Sequence, residues 1–237
     1  MKNVLIVSAL PQETEYIDEY LKDKSDWLRQ NDGDYVNMIK DIHVYVKVLG
    51  VGKVNAAFQT ADAISAVQPD LIVNVGVAGG LADDLERGAV AIGTDYVQVD
   101  LKTFLPENRP VISPTPAYLV DGILKVAAEN NISYRAGRIA TGDFVLFERK
   151  KRRAIKKEFN PIAFDMETAA VAQVASAKKI DFVGIRSFSD MANKRTIGIL
   201  SKKDDVDSSE RKLREDVFKL PAKLIIDYLE QENEAIA

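Results

Sequence analysis

Leu71-Ile72-Val73-Asn74-Val75, followed directly by Gly76-Val77-Ala78-Gly79-Gly80, decides the fold. A short apolar run without polar alternation marks a strand buried on both faces. Asn3 to Ala9 (NVLIVSA) reads the same way, and so does Asp181 to Phe188 (DFVGIRSF). Tyr134 to Thr141 is a further strand, and Gly88 to Val99 is extended. Helical spacing separates these runs at Gln12 to Lys22, Lys53 to Val67, Tyr118 to Asn130, Arg149 to Phe159 and Thr168 to Ala177. A last amphipathic helix covers Ser208 to Glu232, with Pro221 placed to bend it. Tyr35 to Ile39 and His43 to Leu49 pair as a ribbon around a turn near Lys40-Asp41. Strands buried on both faces need helices over both, so the class is α/β with a mostly buried sheet. In such sheets ligands bind where strands end.

The 237 residues suit a single domain over 1–237, since no repeat or composition shift divides them. The net charge of −4 gives no general pull toward nucleic acid or anionic membrane. With no cysteine there are no disulfides or thiolate metal sites. The apolar start, Met1 to Leu10, is too short for a signal peptide and runs into Gln12, Glu13 and Glu15. No apolar stretch approaches a membrane span. A cytoplasmic enzyme is the expectation. The segment Leu101 to Ala117 holds four of the eight prolines and reads as a long loop.

The chemistry-bearing residues cluster just past strands. Glu13 follows the first strand, where a carboxylate also suits a helix N-terminus. Gly50-Val51-Gly52-Lys53 lacks the spacing of a phosphate-binding loop, and a tight turn is its plainer reading. Gly76 to Gly80 is either a structural turn or a backbone lining a pocket. Thr141-Gly142-Asp143-Phe144-Val145 offers flat apolar groups for a base, or a turn with Phe144 in the core. In Phe164-Asp165-Met166-Glu167-Thr168, Asp165 can cap the next helix. An apolar Met166 between two acids equally suits a sugar. Arg186 lies in an apolar strand and needs a partner, most simply one of these acids. Asp190, after Ser189 at the end of that strand, is placed for general acid work. The single histidine, His43, lies in the ribbon and reads as structural, which leaves Ser-His and Cys-His mechanisms little to use. No metal-ligand spacing is present. The basic run Lys150 to Arg153 with Lys156 and Lys157 reads as a solvated helix face.

In order and spacing these motifs resemble the nucleoside phosphorylase/nucleosidase superfamily, most like its 5′-methylthioadenosine/S-adenosylhomocysteine nucleosidase branch. Asp165-Met166-Glu167-Thr168-Ala169, Ser189-Asp190 and Val75 to Gly80 carry the likeness, which runs from Val4 to about Leu229. The resemblance implies a three-layer sandwich with a central twisted mixed β-sheet flanked by helices. It also implies a homodimer, with the stretch Leu105 to Pro116 closing a neighbour's pocket, and a place in methionine salvage. Asp190 would protonate N7 of the purine, and Glu167 would bind the ribose hydroxyls with Met166 against the sugar. Glu13 and Arg186 would hold the attacking water. The backbone at Leu146 would read the adenine edge between walls from Val51, Phe144 and Val145.

Breaking an N-glycosidic bond leaves an oxocarbenium-like sugar, which carboxylates stabilise without a metal or organic cofactor. Water is the favoured nucleophile, because acid surrounds the place where phosphate would sit and Arg186 is the one conspicuous cation. A phosphate-dependent phosphorylase and a non-catalytic nucleoside-binding protein are the competing readings. Two departures bear on substrate choice. A small hydroxyl residue often stands in this branch where Val77 is, and the usual Gly-Asp-x-Phe pattern moves its aromatic by one position, to Phe144. Futalosine-type, adenosine or inosine substrates therefore stay open beside the methylthioadenosine type.

Overall fold

The computed structural model describes residues 2–22, 24–30, 33–82, 87–101, 114–190 and 208–231, apart from the side chains of Asp190 and of 208–214. Nine strands form one mixed sheet in the order β2-β3-β4-β1-β5-β8-β7-β6-β9. They are β1 (Lys2–Ser8), β2 (Trp27–Arg29), β3 (Tyr35–Asn37), β4 (Ile42–Val48), β5 (Leu71–Gly80), β6 (Val90–Gln98), β7 (Tyr134–Thr141), β8 (Ala163–Asp165) and β9 (Asp181–Asp190). β5 also pairs in parallel with β9, so β5, β8, β7, β6 and β9 close on themselves. The helices are α1 (Glu15–Leu21), α2 (Lys53–Val67), α3 (Ala117–Glu129), α4 (Arg149–Phe159), α5 (Thr168–Lys178) and α6 (Ser208–Gln231).

β1 shows how the layers arise. Val4 and Ile6 point into a core shared with α1, α3 and α6, through Ile17, Leu119 and Leu224. Leu5 and Val7 point into a second core shared with α2 and α5, through Ala56, Ile64, Ala169 and Ala172. Successive side chains take opposite faces, and here both faces are covered. Each such side chain adds roughly 1.5–3 kcal/mol by leaving water. The expected sheet with helices on both sides is what forms. The alanines of α5 let it lie close to the sheet and α2.

Several elements differ from their sequence reading. The helix expected over Gln12 to Lys22 is interrupted: a 3-10 turn, Pro11–Glu13, precedes α1. Two short strands, β2 and β8, carry too few residues for a periodicity signal. β5 does not stop at Val75 but runs on through the glycines to Gly80. Residues 76–78 pair with β9, and 79–80 pair with β8, so ladders on both sides override the poor strand propensity of glycine. The structural-turn reading of Gly76 to Gly80 is thereby corrected. The ribbon forms as expected, antiparallel between β3 and β4, with Asp41 at φ 54 in its turn. His43 is half-buried there and stacks on Tyr45 at 3.9 Å. Most of the loop assigned to Leu105–Pro116 lies outside the described residues.

Candidate active site

A cavity of about 210 Å³ opens where β1, β5, β8 and β9 end. Its walls bring together Glu13, Val51, Val77, Phe144, Val145, Leu146, Met166, Glu167 and Ser189, residues the sequence reading drew from six separate segments. Arg186 lies behind this wall with none of its surface exposed.

Glu13 does not act as a charge on α1. Its carboxylate turns back, and Oε2 accepts the main-chain N–H of Ala9 and of Leu10, both at 2.9 Å. Oε1 accepts Val77 N–H at 2.9 Å, tying β1 to β5. Gly76 makes the approach possible, because a Cβ there would overlap both the Glu13 carboxylate and the Arg186 guanidinium. Val77 contributes its main chain to this contact, and its side chain offers the cavity no hydroxyl.

Arg186 finds the partner its burial demands. Nε lies 2.9 Å from Asp165 Oδ2 and donates to Thr168 Oγ1 at 2.9 Å, while Nη1 donates to Val75 O at 3.2 Å. Nη2 is 3.9 Å from Glu167 Oε2, too far for a hydrogen bond, and is buried without one among the described residues. Burial alone lowers the guanidinium pKa, but the charges of Asp165, Glu13 and Glu167 outweigh it and raise the value above the ordinary one.

Asp165 was read as a possible helix cap and not as a site residue; it is both a cap and the anchor of Arg186. Its Oδ1 accepts the N–H groups of Glu167 and Thr168, each at 3.2 Å, and the hydroxyl of Thr141 at 2.6 Å. Thr168 Oγ1 also bonds Oδ2. Thr141 and Thr168 escaped the sequence reading, since a lone threonine gives no signal. The signal available for Asp165 was the unpartnered arginine.

Glu167 ends up 5% exposed, with Oε1 accepting Gly52 N–H at 2.9 Å. Burial first, and then the neighbouring Asp165 charge, push its pKa up to about 7. A carboxyl poised there exchanges a proton near neutrality, as groups in reaction sites commonly do.

At the other end of the cavity, Phe144 packs on Phe164 with centroids 5.0 Å apart, and the Lys151 ammonium sits 3.0 Å over its ring. The aromatic that moved by one position is thus held by the core, and Val145, 59% exposed, takes the outer wall. Leu146 buries its side chain with Leu81, Ala140 and Ile155. On β9 the pairing with β5 jumps from Phe188 to Asp190, leaving Ser189 as the extra residue of a bulge. Such bulges re-aim side chains at sheet ends. Asp190 is backbone-paired with Gly79 at this point, and its side chain lies outside the described residues.

The profile of the phosphorylase superfamily matches residues 3–226. The chain is 32% identical over 196 residues to a 5′-methylthioadenosine/S-adenosylhomocysteine nucleosidase of Staphylococcus aureus, covering 79% of this chain and 86% of the relative. It superposes on a 5′-methylthioadenosine/S-adenosylhomocysteine nucleosidase of Campylobacter jejuni with a TM-score of 0.78 at 29% identity, over 98% of this chain and 100% of that one. A futalosine hydrolase of Helicobacter pylori shares the fold, with a TM-score of 0.80 at 24% identity over 97% and 98% of the two chains.

Proposed function

This chain belongs to the phosphorylase superfamily, and from that premise we propose that it hydrolyses the N-glycosidic bond of a purine nucleoside of the methylthioadenosine/S-adenosylhomocysteine type. The products are free adenine and the 5-substituted ribose. The observation that carries the reading is the arrangement of Glu13, Asp165 and Glu167 around the buried guanidinium of Arg186. Among the described residues, three carboxylates against one cation suit a sugar that gains positive charge as its bond to the base breaks. The same surplus of negative charge repels phosphate, which favours water as the nucleophile over phosphorolysis.

The roles follow from position. Glu167, on the cavity wall beside Met166, takes the ribose hydroxyls. Glu13 on the cavity wall, with Arg186 behind it, holds the attacking water. Asp190, one residue past the bulge at the end of β9, is the general acid at N7 of the base. The base lies between Val51 and Val145 with its edge on the main chain of Leu146. No step requires a metal or an organic cofactor.

A homodimer is part of the reading. Val54 is 79% and Phe58 68% exposed on α2, next to Val51 at the cavity mouth. An apolar stripe in that position suits a second copy of the chain, which would cover it and narrow the entrance. No helix among the described residues is long and apolar enough to cross a membrane. A cytoplasmic role in methionine salvage is part of the same proposal.

Reaction in oxygen-18 water tests the nucleophile. Hydrolysis places the label on C1 of the released sugar. An unlabelled sugar phosphate as the product would assign the chain to phosphorolysis instead.

A further inference from the structure

α2 begins behind Gly52, which has no side chain with which to cap it. Its first N–H groups go to carboxylates from distant segments: Gly52 N–H to Glu167 Oε1 at 2.9 Å, and Lys53 N–H to Asp143 Oδ1 at 2.8 Å. Asp143 is held in turn, since its own N–H donates to Asp100 Oδ2 at 2.9 Å. Asp100 Oδ1 then receives the Lys53 ammonium at 2.7 Å. The circuit of Lys53, Asp100 and Asp143 closes on itself through main chain and side chains. Burial raises the pKa of Asp100, but the Lys53 ammonium and the Asp143 N–H outweigh it and hold the carboxyl below its ordinary value. Lys53 Nζ also donates to Gln98 Oε1 at 3.0 Å, which anchors the circuit on β6.

These three residues stand outside the cavity, yet their chain neighbours line it, Val51 on one side and Phe144 to Leu146 on the other. Gly52, at φ +93, is bound between them; a Cβ there would lie 3.4 Å from Asp143 Oδ1. We propose that Asp143, locked by Asp100 and Lys53, is a positioning residue that fixes the Gly52 N–H on Glu167 and so sets where that carboxylate meets the ribose. The inference rests on the ribose-binding role of Glu167. The groups that face Glu167 are Asp165 from β8, Arg186 from β9, Glu13 beside β1 and the Gly52 N–H from α2. Asp165 and Glu13 favour its protonated form, while Arg186 and Gly52 favour the ionised one. The Gly52 contact can be loosened by changing side chains that never enter the cavity.

The test is a carbon-13 NMR titration of the Glu167 carboxyl in the ligand-free full chain, its signal assigned by its loss in Glu167→Gln. In Asp143→Ala and Lys53→Met the Gly52 donor loosens, and the Glu167 midpoint moves to higher pH. Asp143→Asn keeps an Oδ1 acceptor for Lys53 N–H and titrates close to the wild type. With methylthioadenosine as substrate, KM for Asp143→Ala rises roughly tenfold to a hundredfold, with kcat changed less. A wild-type midpoint retained in both Asp143→Ala and Lys53→Met overturns the proposal; should Asp143→Ala not fold, Lys53→Met decides alone. If the midpoints move but the wild type frees no base from any nucleoside, the ribose role of Glu167 falls and the hold of the circuit on Glu167 stands.

Discussion

Arg186, fully buried in β9, depends on the carboxylates around it. A charge inside Val183-Gly184-Ile185-Arg186-Ser187-Phe188 demands a partner among the acids at the strand ends. Which acid answers it depends on strand order, which residue types do not encode: Asp165 takes Nε, and Glu167 stays 3.9 Å away with a donor spare between them. Arg186→Met leaves these carboxylates buried without their cation and destabilises the fold by about 3–5 kcal/mol, read as a lower urea midpoint at pH 7. Glu167 behaves in the opposite sense with pH. Its folded value of about 7 lies above the value of 4.5 for a free side chain, so the folded state binds the extra proton in between. Stability from this group is present below pH 4.5 and is lost as pH rises toward 7. Melting curves from pH 5 to 8 should therefore show Glu167→Gln gaining on the wild type as pH increases; parallel curves would mean that Glu167 is not perturbed.

At the scale of elements, the long strands and helices were legible because both cores impose their period on β1, α2 and α3. The short ones were not: β2 and β8 are three residues each and exist because a neighbour pairs with them. Of the two readings of Gly76 to Gly80, the turn fails for a related reason, while Val77, Ala78 and Gly79 line the cavity. The glycines' lack of side chains reads as a turn, whereas the strand needs that emptiness at Gly76 for the Glu13 carboxylate and the Arg186 guanidinium both to lie against it. Gly76→Ala forces the two apart, and hydrolysis falls by about a hundredfold or more even where circular dichroism remains that of the wild type. Retained activity in this variant would separate the placement of Glu13 and Arg186 from the reaction. The bulge at Ser189 is likewise set by register between β5 and β9, a property no local pattern announces.

For the whole molecule, the fold class and the gathering of distant motifs into one cavity follow from alternating buried strands and helices. The contact of Thr141 with Asp165 and the circuit of Lys53, Asp100 and Asp143 had no sequence signal because they join segments far apart in the chain. The apolar stripe on α2 belongs to this scale too. Phe58→Glu places a charge in it, and sedimentation should find a monomer where the wild type is a dimer; a wild type already monomeric at micromolar concentration would remove the dimer from the account. The central claim is that water, directed by a surplus of carboxylates, cleaves a purine nucleoside here. Chromatography of purified protein incubated with methylthioadenosine, S-adenosylhomocysteine, adenosine and inosine, each with and without phosphate, tests it most directly. The expected result is free adenine from the first two at a rate indifferent to phosphate. Base release that requires phosphate, or no release from any of the four, would contradict it.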